Sequence, residues 1–290
     1  MPADPTQFLG LASLGPQHAD ALLLPLPVEK TVSYGTGTAR GPHAIIEASL
    51  QLETFDEETL VDFSEGPRVH TLAPLSARGE IEACLGRIRD EVRSLRDKFL
   101  LSLGGEHTVT YGVVTGLVDD LAEVTVVQID AHADLADELH GRRWSHGTVM
   151  RRLWEQGCSL VQIGIRSLTR SEHAVATNGP RIKTYYAHRL AREWGEMLDV
   201  LRRLEGKVYL TIDVDGLDPS IIPSTGTPLP NGLSWPETMD VIRVLVTESP
   251  ARLIGADVVE FVPSAVLPGC DPAAARLVAK VLAWRWRGKP

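Results

Sequence analysis

At 290 residues the chain can bury a sizeable core, and it contains no linker, repeat or low-complexity tract, so a single domain over residues 1–290 is expected. Its formal charge of −9 argues against a nucleic-acid or anionic-membrane surface and suits small cationic partners. Cys84, Cys158 and Cys270 form no CxxC pair or disulfide framework, and no run reaches the ~18 apolar residues of a membrane span; these features predict a reduced, cytoplasmic protein.

In chain order, residues 21–27 read as a first strand. A glycine-rich stretch over 34–42 leads into a helix over 43–52, with a proline near its start where a missing amide hydrogen needs no partner. Residues 77–96 place Ile81, Cys84, Leu85, Ile88, Val92 and Leu95 mostly at three- and four-residue intervals, the spacing of a helix covering one face of a sheet. Short apolar runs over 99–103, 124–129 and 208–212 read as buried strands, and 160–165, 182–186 and 253–261 as further strands. Helical stretches over 147–155, 190–204, 236–246 and 272–284 alternate with them, which predicts an α/β protein with a mainly parallel central sheet.

Three of the buried runs end in residues that bind metals: Gly104-Gly105-Glu106-His107, Asp130-Ala131-His132-Ala133-Asp134 and Asp213-Val214-Asp215. In an open parallel sheet, ligands gather at the carboxyl ends of the strands. Residues two apart share a strand face, so Asp130, His132 and Asp134 converge if the strand continues, and the loops after the strands offer the other route. Gathered carboxylates repel: a pair ~4 Å apart costs about 4 kcal/mol at an effective dielectric of ~20. Two divalent ions would balance Asp130, Asp134, Asp213 and Asp215, leaving His107 and His132 as neutral imidazole ligands. An oxygen-rich set with one imidazole per ion suits manganese better than a thiolate-rich zinc site would. Glu106, beside His107, reads as a support for that ligand.

With these motifs stand Thr211-Ile212-Asp213-Val214-Asp215-Gly216-Leu217-Asp218-Pro219, Asp257-Val258-Val259-Glu260, Gly41-Pro42-His43-Ala44-Ile45 and Gly164-Ile165-Arg166-Ser167. On all of them the chain resembles the ureohydrolase family, the manganese enzymes that include arginase and agmatinase, over nearly its whole length. The resemblance implies a three-layer α/β/α fold with a central mainly parallel sheet, assembled as a homo-oligomer, a trimer or hexamer. It implies two Mn2+ ions, one on His107, Asp130, Asp134 and Asp213 and the other on Asp130, His132, Asp213 and Asp215.

The reaction it implies is hydrolysis of a guanidino compound to urea and an amine, by a metal-activated water attacking the guanidinium carbon. Asp134 would carry the proton to the leaving nitrogen, His146 before Gly-Thr would shuttle protons, and Glu260 would orient the guanidinium through charge-assisted hydrogen bonds. Residues 135–148 are more similar to agmatinase than to arginase, so agmatine, giving putrescine, is the first expectation. Arginine, guanidinobutyrate and guanidine are the alternatives. Asp137 or Glu138 would receive an amine tail, and Arg142 or Arg143 a carboxylate. Ala133 and Phe261-Val262-Pro263 depart from common family patterns without touching a ligand. A zinc deacetylase of related fold would need one metal and has no use for Glu260, and a non-catalytic descendant would be expected to have lost a ligand.

Overall fold

The computed structural model describes residues 4–13 and 15–287, and among them eight strands pair in parallel into one sheet. They are β1 (Ala21–Leu26), β2 (Val69–Thr71), β3 (Phe99–Gly104), β4 (Val124–Ile129), β5 (Ser159–Ile165), β6 (Ile182–Tyr186), β7 (Lys207–Asp213) and β8 (Arg252–Val259), in spatial order β2-β1-β3-β8-β7-β4-β5-β6. The helices are α1 (Gly41–Ser49), α2 (Ile81–Ser94), α3 (Val109–Leu117), α4 (Val149–Glu155), α5 (Arg170–Asn178), α6 (Ala187–Arg202), α7 (Trp235–Thr247) and α8 (Cys270–Trp286).

Both faces of the sheet are covered, which is why its central strands are continuous apolar runs instead of alternating ones. Leu23, Leu101, Val127, Leu210 and Ala256 face α1, α6, α7 and α8. Their neighbours Leu22, Leu100, Val126, Tyr209 and Ile254 face α2, α3 and α4. These are the expected three layers, and each fully buried leucine among them contributes about 1.5–3 kcal/mol. On the second face α3 crosses α2 closely because Gly112 and Gly116 lie at the crossing. A Cβ on either would stand 2.9 Å from Ile88 Cβ or 2.6 Å from Val92 Cβ.

Three elements went unread in the sequence. β2 is three residues at the sheet edge. α3 carries five β-branched residues and two glycines, a poor helix former held by burial of nearly every side chain. α5 announces itself only through its reciprocal Thr169 and Glu172 cap. The C-terminal aromatics pack on their own domain: Trp286 meets Phe99 edge-on, with ring centroids 5.6 Å apart. All three cysteines are buried and free, and among the described residues no helix is long and apolar enough to cross a membrane.

Candidate metal centre

The site lies over the four central strands, β3-β8-β7-β4, each of which delivers one segment at its carboxyl end. His107 follows β3, Asp130 to Asp134 follow β4, Asp213 closes β7 with Asp215 in the 3-10 turn beyond it, and Glu260 follows β8. The strand does not continue through 130–134: β4 ends at Ile129, and these side chains converge through a loop. The amides of Arg166 and Ser167 both donate to the Ala131 carbonyl (2.8 and 2.9 Å), and the amide of His132 donates to Asp130 Oδ1 (2.6 Å). Asp134 then turns with a left-handed φ of 51°. On β7, the Asp213 carboxylate accepts the Asp215 amide (2.9 Å) and so fixes the turn that presents Asp215.

Two clusters result, and they share one residue. His107, Asp130 and Asp134 form the first and Asp130, His132 and Asp215 the second, with the donor atoms of each within 4.8 Å of one another. His107 Nδ1 stands 2.9 Å from Asp134, 3.2 Å from Asp130 and 3.5 Å from Asp213. His132 Nδ1 stands 3.1 Å from Asp215 and 3.6 Å from the other oxygen of Asp130. All are buried except His132, which is partly open to the cavity.

The protonation equilibria report crowded negative charge. Burial and the charge of Asp130 push Asp134 up to about 7, and burial with Asp215 and Asp130 raises Asp213 well above the usual carboxylate range. Burial opposes charge on Asp130, yet hydrogen bonds from His107 and His132 outweigh it and hold its carboxyl low. Burial likewise opposes charge on His132, but Asp130 and Asp215 push it up to about 12.

A divalent cation fits this donor set. His107 Nε2 lies 2.9 Å from Thr211 Oγ1, while its buried Nδ1 has no well-formed hydrogen bond although three carboxylates surround it. Such an orphaned ring nitrogen amid carboxylates is the arrangement a metal ion satisfies, and oxygen donors with imidazole and no thiolate suit a harder ion.

Above the clusters lies a cavity of about 620 Å³, lined by His107, His132, Asp134, His146, Asp213, Asp215 and Glu260. Glu260 accepts the His107 amide (2.7 Å) and has φ 62°. Burial pushes its carboxyl up to about 8 against that hydrogen bond. His146 opens a short 3-10 turn that the paired Ser145 and Thr148 hydroxyls cap. Its Nε2 lies 3.0 Å from Ser33 Oγ and its amide donates to Thr31 Oγ1 (3.1 Å). Burial lowers the His146 pKa, so the imidazole is neutral at pH 7.

Glu106 does not touch the His107 ring, contrary to expectation. Its carboxylate accepts the amides of Lys30 and Thr31 (2.5 and 2.6 Å) and the hydroxyls of Thr31 and Thr108 (2.8 and 2.7 Å), so it anchors the loop after β1 that reaches His146. Thr31 and Ser33 were missed, since no local motif marks a hydroxyl that reaches across the fold, and Thr211 stood in a quoted motif without a role. Arg142 and Arg143 do not line the cavity: Arg142 donates to the Lys30 carbonyl (2.6 Å) and Arg143 pairs with Glu155 (3.2 Å). Asp137, Glu138 and Glu172 do line it, with Asp137 also paired to Arg152 (2.8 Å).

Fold and site together define a class of α/β proteins able to seat two metal ions at the carboxyl ends of a parallel sheet. The sequence matches the arginase family over residues 19–284, and the chain belongs to that family. It is 36% identical over 254 residues to the N(1)-aminopropylagmatine ureohydrolase of Thermus thermophilus, covering 86% of this chain and 84% of that one. It is 32% identical over 270 residues to the agmatinase of Pyrococcus horikoshii, covering 92% of each. Among solved structures, the agmatine ureohydrolase of Thermoplasma volcanium superposes with a TM-score of 0.83 at 26% identity, over 94% of this chain and 92% of that one.

Proposed function

We propose that this chain is a binuclear-metal ureohydrolase that hydrolyses a terminal guanidino group to urea and an amine, with agmatine as substrate and putrescine as the amine. The carrying observation is Asp130, one oxygen toward each histidine, shared by two clusters beneath a cavity that also holds the buried Glu260. In this reading His107, Asp130, Asp134 and Asp213 hold one Mn2+ and Asp130, His132, Asp213 and Asp215 the other. Two such ions supply Lewis acidity and a water acidic enough to act as nucleophile at neutral pH.

The chain's own residues do the rest. Glu260, with one oxygen taken by the His107 amide, offers the other to the guanidinium, whose positive charge favours the ionised carboxylate. Asp134 borders the cavity beside His107, placed to take a proton from the attacking water and pass it to the leaving nitrogen. His146, neutral and bordering the same cavity, exchanges protons with solvent.

A second reading extends the substrate. The cavity is roomy, and its lining includes Asp137, Glu138 and Glu172 but neither Arg142 nor Arg143. That favours a further cationic amine tail over a carboxylate, as in the N-aminopropyl derivative of agmatine named for the Thermus relative. The same reading takes residues 1–290 as one domain, acting in the cytoplasm as a trimer or hexamer; light scattering of the purified protein tests the assembly. Urea release by manganese-loaded protein is to be measured with agmatine, its N-aminopropyl derivative, arginine, guanidinobutyrate and guanidine, beside Asp130→Ala. Release from the first two, abolished in the variant, is expected. Release from a guanidino acid alone would move the substrate, and no release from any would overturn the assignment.

A further inference from the structure

A row of polar side chains crosses the apolar sheet directly beneath the ligand loop. Gln128 on β4, Gln162 on β5 and Thr184 on β6 are register partners, and both glutamines are fully buried. Burying two primary amides in a core is costly unless their polar atoms are satisfied. Here the bonds run in one direction. Thr184 Oγ1 donates to Gln162 Oε1 (2.9 Å), and Gln162 Nε2 donates to Gln128 Oε1 (2.6 Å) and to the Ala133 carbonyl (2.7 Å). Gln128 Nε2 then donates to Asp130 Oδ2 (2.6 Å) and to the His132 carbonyl (3.3 Å). Carboxylate and carbonyl oxygens only accept, so both amides must turn their nitrogens toward the loop; the orientation follows from the chemistry of the partners.

All the glutamine hydrogens therefore end within the row or on residues 130–133. They reach the one carboxylate common to both clusters and the two carbonyls that flank the path from His132 to Asp134. Residues 130–134 belong to no helix or strand; besides the row they are tied by backbone bonds to Ile163, Arg166, Ser167 and Arg151, and Asp134 leaves the loop in a strained conformation. We propose that Gln128 and Gln162 are positioning residues for the metal centre, a pair of amides that presets the loop so that Asp130, His132 and Asp134 face one space before any cation arrives. This rests on the metal-centre reading above, and the experiment separates the two.

Metal-free wild type, Gln162→Met and Gln128→Met are to be titrated with Mn2+ by calorimetry, with electron paramagnetic resonance reporting the spin-coupled pair. Circular dichroism and melting of the metal-free proteins check the fold. We expect at least one Mn2+ to bind about 10- to 100-fold more weakly in each variant and the coupled-pair signal to weaken. The metal-free fold should survive, and KM at saturating metal should hold. Wild-type affinity in a folded variant, or loss of the metal-free fold in both, would overturn the proposal. Wild type that binds no Mn2+ would overturn the metal-centre reading itself.

Discussion

Asp134 and Glu260, two carboxylates facing the cavity, both hold backbone angles that side chains rarely adopt, at a cost of about 1–3 kcal/mol each. Local hydrogen bonds offset that cost: the Arg151 amide donates to the Asp134 carbonyl (3.0 Å), and Glu260 exchanges bonds with Gly105 and His107. Glu260→Gln keeps the shape and removes the charge. It should lower kcat/KM by roughly 30- to 150-fold, the about 2–3 kcal/mol of a hydrogen bond to a charged group, with metal content unchanged. His146→Asn should lower kcat by at least about 100-fold. Because burial lowers the His146 pKa, the imidazole is neutral at pH 7 and charges only as pH falls below that lowered value. The acid limb of the kcat profile at saturating metal should therefore shift or vanish in the variant, and an unmoved limb would remove His146 from the proton path. The residues of the candidate metal centre were legible in the sequence because each stands in a short local motif, at 104–107, 130–134 or 213–215. The Glu106 carboxylate and the hydroxyls of Thr31 and Ser33 were not, since their contacts join residues 75 to 115 positions apart.

Among the elements, the long amphipathic helix α2 announced itself by period and the buried strands as short apolar runs, whereas α3 exists because burial overrides propensity. Segment 55–62 is another case: nothing local shows that Asp56 is buried against Lys280 of α8, 2.8 Å away. Burial works against charge on both, but on Asp56 the Lys280 and Thr59 hydrogen bonds win and lower the pKa, and on Lys280 Asp56 and Glu58 raise it. Lys280→Met removes the nearer cation, leaving the buried carboxylate with Arg276 at 3.4 Å and its Thr59 hydrogen bonds, and should cost up to roughly 3 kcal/mol at pH 7. The sign follows from linkage: the depressed Asp56 contributes above its ordinary 3.8 and loses that contribution as pH falls through its lower folded value. The raised Lys280 contributes below its ordinary 10.5 and loses that as pH rises through its higher folded value. Denaturant titrations should therefore show a constant difference between wild type and variant from about pH 5 to 9 that shrinks in stronger acid. A difference that grows in acid would contradict the pairing.

For the whole molecule, α/β alternation was enough to predict a parallel sheet, but not that β3, β8, β7 and β4 lie side by side. That order is set by crossovers between strands far apart in sequence, and it is what turns four separate strand ends into one site. It also places the buried amide row and the cavity acids around a single aspartate. In the proposed centre that aspartate serves two ions, so full activity needs both. The direct measurement is to strip the protein with chelator, refill it stepwise with Mn2+, and follow bound metal per chain and urea release from agmatine or its N-aminopropyl derivative together. Urea release that is absent without metal and reaches its maximum at two ions per chain is the predicted result; full activity at one ion per chain, or activity surviving complete metal removal, would contradict it.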